Sequence, residues 1–387
     1  MANPPLNCIT RDLLEGRNRA ALREITALEA ALQRHPTVPF LTPYRSKLLS
    51  FAQHCSQQAE SNLALLTLGI DDLLDDVRSW TALVLENVRV AAQLLAGPLL
   101  RSSACDQVSV KILAWLHATD PRSAPMPPVC CDGDPAVLPF IDFTPLYHFP
   151  TLKQESLLHL PLYFHEFGHV LYALHAPEMD ELVKELQDFI VSELQPMSQR
   201  NDLRAKRQRE LQYAVGVTWY AWTQELFCDA VGLLMTGPAY GYAFSDFLLH
   251  LDPGDFSLDR PVLAYSSHPI TWLRIKFLVS RANILGYTEM ASELESQWAS
   301  MASSLGIVED YFGYFEPPWM LKIESVLDDM LTEAAPRPCP KEEALAEREW
   351  SSDASPVLLL NRAWRTARNS PQSFATWEPS ALSSFAR

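Results

Sequence analysis

Apolar residues recur at helical spacing through the first third of the chain. In "DLLEGRNRAALREITALEAALQRH" they return every three or four positions, and the run stops before Pro36. "KLLSFAQHCSQQAESNLALLTLG" and "DDLLDDVRSWTALVLENVRVAAQLLAG" continue the pattern, the second opening on acids and closing at Gly97, as a helix favours. This predicts a packed helical region over 1–118. "TDPRSAPMPPVCCDGDPAVLP" is rich in proline and turn formers and reads as a linker or long loop. "AVLPFIDFTPLYHF" is apolar with aromatic patches, and its prolines assign it to an edge strand. Such an edge suits an extended peptide, which pairs with it through backbone hydrogen bonds.

Helical patterning resumes from about 158 to 331. After Pro336 the chain turns to Pro, Ser, Ala and charges with isolated apolar islands, which predicts a partly ordered tail that docks in places. The expected organisation is mainly α with a small edge β element. It comprises an N-terminal helical region (1–118), a central domain (119–335) that carries the chemistry, and a Pro/Ser-rich tail (336–387).

Composition narrows the function. The chain has 387 residues, 48% of them hydrophobic, enough to bury a large core in one large domain or two. A net charge of −16 argues against a nucleic-acid groove. Seven cysteines are scattered without a CxxC pair, and the start lacks an apolar leader segment, so reduced thiols and a cytoplasmic location are expected. No charge-free apolar window of membrane length is evident, and no membrane association is expected. The nearest, "YAVGVTWYAWTQELFCDAVGLLMTG", carries Gln224, Glu225 and Asp229 in its middle, the mark of a buried helix with a site on it.

The chemistry centres on "FHEFGHVLYAL", Phe164 to Leu174, in a helix that Pro161 is expected to open. His165 and His169 are four apart, so their rings project from one face and can bite a single zinc ion. Glu166 sits about 100° round the helix, beside such an ion, where it can take a proton from water. Gly168 leaves room for a close approach. An ordinary amphipathic helix with two satisfied histidines is the bland alternative, but buried polar groups without partners are costly.

Three residues compete to be the third ligand. His175 stands at the third histidine of the metzincin pattern, but Tyr172 replaces the glycine that pattern needs. Glu193 lies at about the distance used by the thimet oligopeptidase family, which the string FHEFGHV resembles. Glu225 in "WTQELFCDAVG" is favoured, because Asp229 shares its helix face and can accept the free ring N–H of a histidine ligand. Cys228, between them, is expected to face away. Tyr240, Tyr242 and Tyr265 are further residues within reach of a cleft.

Downstream, "SSHPITWLRIKFL" adds His268-Pro269 and Arg274-Ile275. The ordered set HExxH, ExxxD, HPxxxxRI resembles the gluzincin peptidases, above all the CAAX prenyl endopeptidases and bacterial heat-shock membrane proteases. The likeness runs from His165 to about Leu278 and is confined to these three motifs. It implies a zincin-like core with His165, His169 and Glu225 as zinc ligands, Glu166 as the base and Asp229 as the acid behind a histidine. It places His268 near the metal and Arg274 as an anchor paired with an acid. The expected function is therefore a zinc-dependent metallopeptidase, an endopeptidase acting on peptides or proteins. The alternative is a zinc-stabilised regulatory or scaffold protein whose N-terminal helices or tail bind a protein partner. Unlike those membrane-embedded relatives, this chain shows no predicted spans, and its N-terminal third and tail lie outside the likeness.

Overall fold

The N-terminal spacing is realised as three long helices, α1 (Leu6–Arg34), α2 (Thr42–Thr67) and α3 (Leu74–Val90), in a computed structural model. It describes all residues except 1–5, 36, 102–105, 140–142, 195–202, 250–262, 264–265, 307–310, 347–354 and 387. The inward faces of these helices, including Ile25, Leu32, Leu48, Ala52, Val84 and Val88, form a core of their own. Asn18 donates to Thr81 Oγ1 at 2.8 Å and Asn62 to Asn18 Oδ1 at 3.1 Å, so a buried polar chain ties all three helices in one register. The helical stretch Asp71–Leu100 is long and apolar enough by length and composition to cross a membrane, though it is not charge-free, since Glu86 and Arg89 interrupt its apolar part. In this fold its Val77, Val84 and Val88 are buried within the bundle, while Trp80 and Leu83 are exposed.

Next comes α4 (Asp106–His117), which bridges the two cores: Val110 packs into the bundle, and Ile112, Leu113 and Leu116 into the larger, second core. A three-stranded sheet forms the seam between the cores. Its strands β1 (Val129–Cys131), β2 (Ala136–Leu138) and β3 (Leu146–His148) lie in the order β1-β3-β2, the first pair parallel and the second antiparallel. Strand alternation sends Val129 and Leu146 to the bundle core and Cys130 and Tyr147 to the main core. The run read as one edge strand is thus two: β3 is the central strand and β2 an edge. Pro139 and Pro145 fall just outside the paired residues, where no ladder N–H is needed.

His117 is buried at this seam, with Nδ1 3.2 Å from the Ser123 carbonyl and Nε2 2.9 Å from the Tyr147 hydroxyl. Burial outweighs these contacts and pushes its pKa from 6.5 down to about 4. The unfolded chain therefore takes up the proton first. The stabilisation from neutral His117 is complete above about 6.5 and drains away as the pH falls toward about 4. Between pH 7 and pH 5 the wild type is expected to lose about 2 kcal/mol that His117→Gln does not lose. Urea unfolding of both proteins at the two pH values checks this, and parallel losses would remove His117 as the cause.

The main core is helical: α5 (Tyr163–Leu174), α6 (Ala176–Glu193), α7 (Leu203–Thr236), α8 (Pro238–Leu249), α9 (Thr271–Ile284), α10 (Thr288–Ser304) and α11 (Met320–Ala334). Pro161 lies in a tight turn, Leu160–Leu162, that leads into α5. α7 stops at Gly237, whose φ of +71° suits glycine, and Pro238 opens α8.

The tail is more fully built than its composition predicts. Its apolar islands condense into α12 (Pro356–Asn369) and α13 (Pro371–Ala386), and Val357, Leu359, Leu360 and Ala363 join the main core. Glu378 accepts from the Leu157 N–H at 2.7 Å and from Ser156 Oγ at 3.0 Å, while Trp364 Nε1 donates to the Leu158 carbonyl at 2.9 Å. The tail therefore braces the segment that enters α5.

Candidate metal centre

Helix α5 is buried nearly all round, with Phe164, Phe167, Val170 and Leu171 in the core. The four-residue spacing puts the His165 and His169 rings side by side, centroids 5.0 Å apart. Gly168 lets α7 press against them: a Cβ there would stand 2.8 Å from Cys228 Cα. This close approach lays the Glu225–Asp229 face of α7 over the histidines.

Glu225 faces both rings, its Oε2 3.4 Å from His165 Nε2 and its Oε1 3.5 Å from His169 Nε2. Asp229 Oδ1 accepts from His165 Nδ1 at 2.9 Å, and that bond turns Nε2 toward Glu225. The other two candidates are elsewhere. Glu193 is exposed at the end of α6, and His175, just past α5, turns its Nδ1 to Glu333 at 3.4 Å.

Asp229 is fixed from two further sides. Arg274 of α9 is buried and grips it with Nε at 2.8 Å to Oδ2 and Nη2 at 2.7 Å to Oδ1, while its Nη2 stands 3.3 Å from Glu225 Oε2. This is the anchoring pair the HPxxxxRI segment implied. Tyr240 of α8 donates to Asp229 Oδ1 at 2.8 Å. Gly232 makes that possible, since a Cβ there would come within 2.6 Å of the Tyr240 ring. Of the other two tyrosines, Tyr242 turns its hydroxyl to Glu293 at 3.2 Å, and Tyr265 lies outside the described residues.

His268 stands at the rim, its side chain 62% exposed and its Nε2 3.5 Å from Glu225 Oε1. Glu166 is buried and lines an open cleft of about 500 Å³ together with His165, Glu225 and His268. Among the described residues no side chain hydrogen-bonds it, and burial pushes its carboxyl up to about 7. Leu162, Phe244, Phe247 and Pro269 give the cleft apolar walls, and Asp134 and Pro135, just before β2, lie at its side.

The charge balance is lopsided. Glu166, Glu225 and Asp229 face one guanidinium. Burial works against ionising Glu225, but His165 and Arg274 outweigh it and hold this carboxylate well below its usual range. Burial likewise disfavours charge on His165, yet Asp229 and Glu225 push that ring up to about 10. Burial brings His169 down to about 4. The site thus draws positive charge onto its centre. Among the described residues Glu225 Oε2 is buried without a hydrogen bond, with the Arg274 guanidinium at 3.3 Å, and a cation between it and the imidazoles would give it a direct partner.

His165, His169 and Cys228 also bring two ring nitrogens and a thiol within 4.8 Å of one another, a buried group that could hold a metal ion. Cys228 therefore does not face away, as its place in the sequence suggested. The tight approach at Gly168 carries its sulfur to the histidine helix. Burial raises its thiol well above 9.0, so it stays protonated beside an already ionised Glu225.

No family model, curated protein or solved structure matches the chain. The functional reading consequently rests on the residues themselves.

Proposed function

We propose that this protein is a zinc-dependent peptidase with a zincin-like core, in which His165, His169 and Glu225 hold the ion and Glu166 is the general base. One observation carries the reading. The Glu225 carboxylate faces both imidazoles, with Oε2 3.4 Å from His165 Nε2 and Oε1 3.5 Å from His169 Nε2, beyond good hydrogen-bond length but near enough for one ion to be held between the rings and the carboxylate. The resemblance to the gluzincins supports the same assignment.

When bound, zinc polarises a substrate carbonyl and lowers the pKa of water. The chain's own groups do the rest. Asp229 fixes the His165 tautomer, and Arg274 and Tyr240 fix Asp229. Glu166 takes a proton from water in the cleft and delivers it to the leaving amine. His268, exposed at the rim with its Nδ1 beside Ser267 Oγ, donates from Nε2 to the carbonyl oxygen of the scissile bond. The outer edge of β2, beside the cleft, aligns an extended peptide.

A second reading, a structural zinc centre in a scaffold protein, draws on Cys228. With its thiol as a fourth protein ligand the centre would be closed, as structural zinc sites are. The open cleft at Glu166 favours catalysis. Purified protein is expected to carry stoichiometric zinc and to cleave a mixture of unstructured peptides, with phenanthroline stopping cleavage and added zinc restoring it. A protein that takes up no supplied zinc overturns both readings, and a zinc-loaded protein without cleavage overturns the first.

A further inference from the structure

The chain as a whole is strongly acidic, yet a second cavity gathers cations. Its volume is about 440 Å³, and it lies where the tail meets the main core. Helix α8 separates it from the metal centre: Tyr240 and Phe244 face the centre, while Ala239 and Tyr242 line the second cavity. Among the described lining residues, Lys341, Arg365 and Arg368 face one carboxylate, Glu289, while Glu293 outside the lining pairs with Arg368.

Two of these cations are held in place by protein groups. Arg365 donates to the carbonyl oxygens of Ala344, at 3.1 Å, and of Ala346. Arg368 pairs with Glu293 and lies 3.9 Å over the Tyr242 ring, which stacks on Trp364 at 5.8 Å. Their geometry is set before any ligand arrives, so little side-chain entropy is lost on binding.

Lys341 is different. It has no partner among the described residues, and its Nζ packs over Gly286, where a Cβ would stand 2.6 Å away. Gly286 holds a φ of +78°, a conformation other residues resist, so the space beside that ammonium is kept open by the backbone. A free ammonium beside two fixed guanidiniums, in a chain whose surface otherwise repels anions, matches the charge and donor pattern of a multiply charged oxyanion.

We propose that this cavity binds a small phosphate-type polyanion, a diphosphate group, with Lys341, Arg365 and Arg368 as its donors. The diphosphate can be free or part of a nucleotide, and the two sources are separable. Calorimetric titration of the full chain, as purified and at about 0.15 M ionic strength, with inorganic pyrophosphate is expected to give a Kd below about 1 mM. Lys341→Ala should weaken binding by about fivefold or more, and Lys341→Glu should abolish it. Because Lys341 is exposed and has no partner among the described residues, both variants should melt at the parent's temperature, so weaker binding cannot be ascribed to misfolding. A parallel titration with ADP identifies the source: tighter binding than pyrophosphate points to a nucleotide, equal or weaker binding to the free ion. No binding by the parent, or undiminished binding by Lys341→Glu, overturns the proposal.

Discussion

Glu166→Gln is expected to leave zinc content unchanged while peptide hydrolysis falls by about 10²–10⁴-fold, the usual contribution of a positioned general base. Glutamine keeps the size and polarity of the side chain but cannot accept a proton from water. The variant should also be at least as stable as the parent. Glu166 is a buried carboxyl to which no described side chain donates, and burial already pushes its pKa up to about 7, the sign that its charge is costly to fold around. Lost activity together with a retained or raised melting temperature separates loss of chemistry from loss of fold. Hydrolysis within about tenfold of the parent would remove Glu166 as the base.

Local pattern carried much of this site. The i, i+4 rule alone put the two histidines on one face, and the same rule paired Glu225 with Asp229. The ordered third motif led to Arg274, which clamps Asp229. What pattern could not supply was the distance between elements. Cys228 follows Glu225 by three positions and was expected to turn away, but the Gly168 contact brings α7 so close to α5 that both faces reach it. Tyr240 could not be told from Tyr242, because only the crossing of α8 over Gly232 decides which hydroxyl meets Asp229.

The same limit explains the fold-level differences. Apolar islands in a proline- and serine-rich segment look too sparse for a core. Yet Leu358, Leu359 and Leu360 need only one groove already built by other helices. Likewise the apolar run after residue 135 shows strand composition, but which part is central depends on β1, which lies before that run and pairs with its β3. The candidate centre was legible because its chemistry demands fixed residue types at fixed helical spacing; docking geometry imposes no such signature.

The sharpest division between a catalytic and a structural centre comes from Glu225 and Cys228. Glu225→Ala is expected to lower zinc affinity by more than about 100-fold, since even groups that merely support a ligand typically cost 10–100-fold. Cys228→Ala is expected to keep both zinc and hydrolysis. The reason is the state of each donor before the ion arrives. Glu225 is held ionised by His165 and Arg274, and its Oε2 has no hydrogen bond to give up. Cys228 must first lose a proton that burial holds well above 9.0, and the nearby carboxylates oppose that loss. Zinc would have to overcome this cost to recruit the thiol, whereas the carboxylate is ready. Removing Glu225 also leaves the Arg274–Asp229 clamp intact, so a drop in zinc cannot be assigned to a collapsed site if the apo proteins melt alike. Zinc measured by mass spectrometry after dialysis against a weak chelator reads the outcome. Should Cys228→Ala empty the site while Glu225→Ala keeps it filled, the centre is a sulfur-held structural one and the peptidase assignment fails.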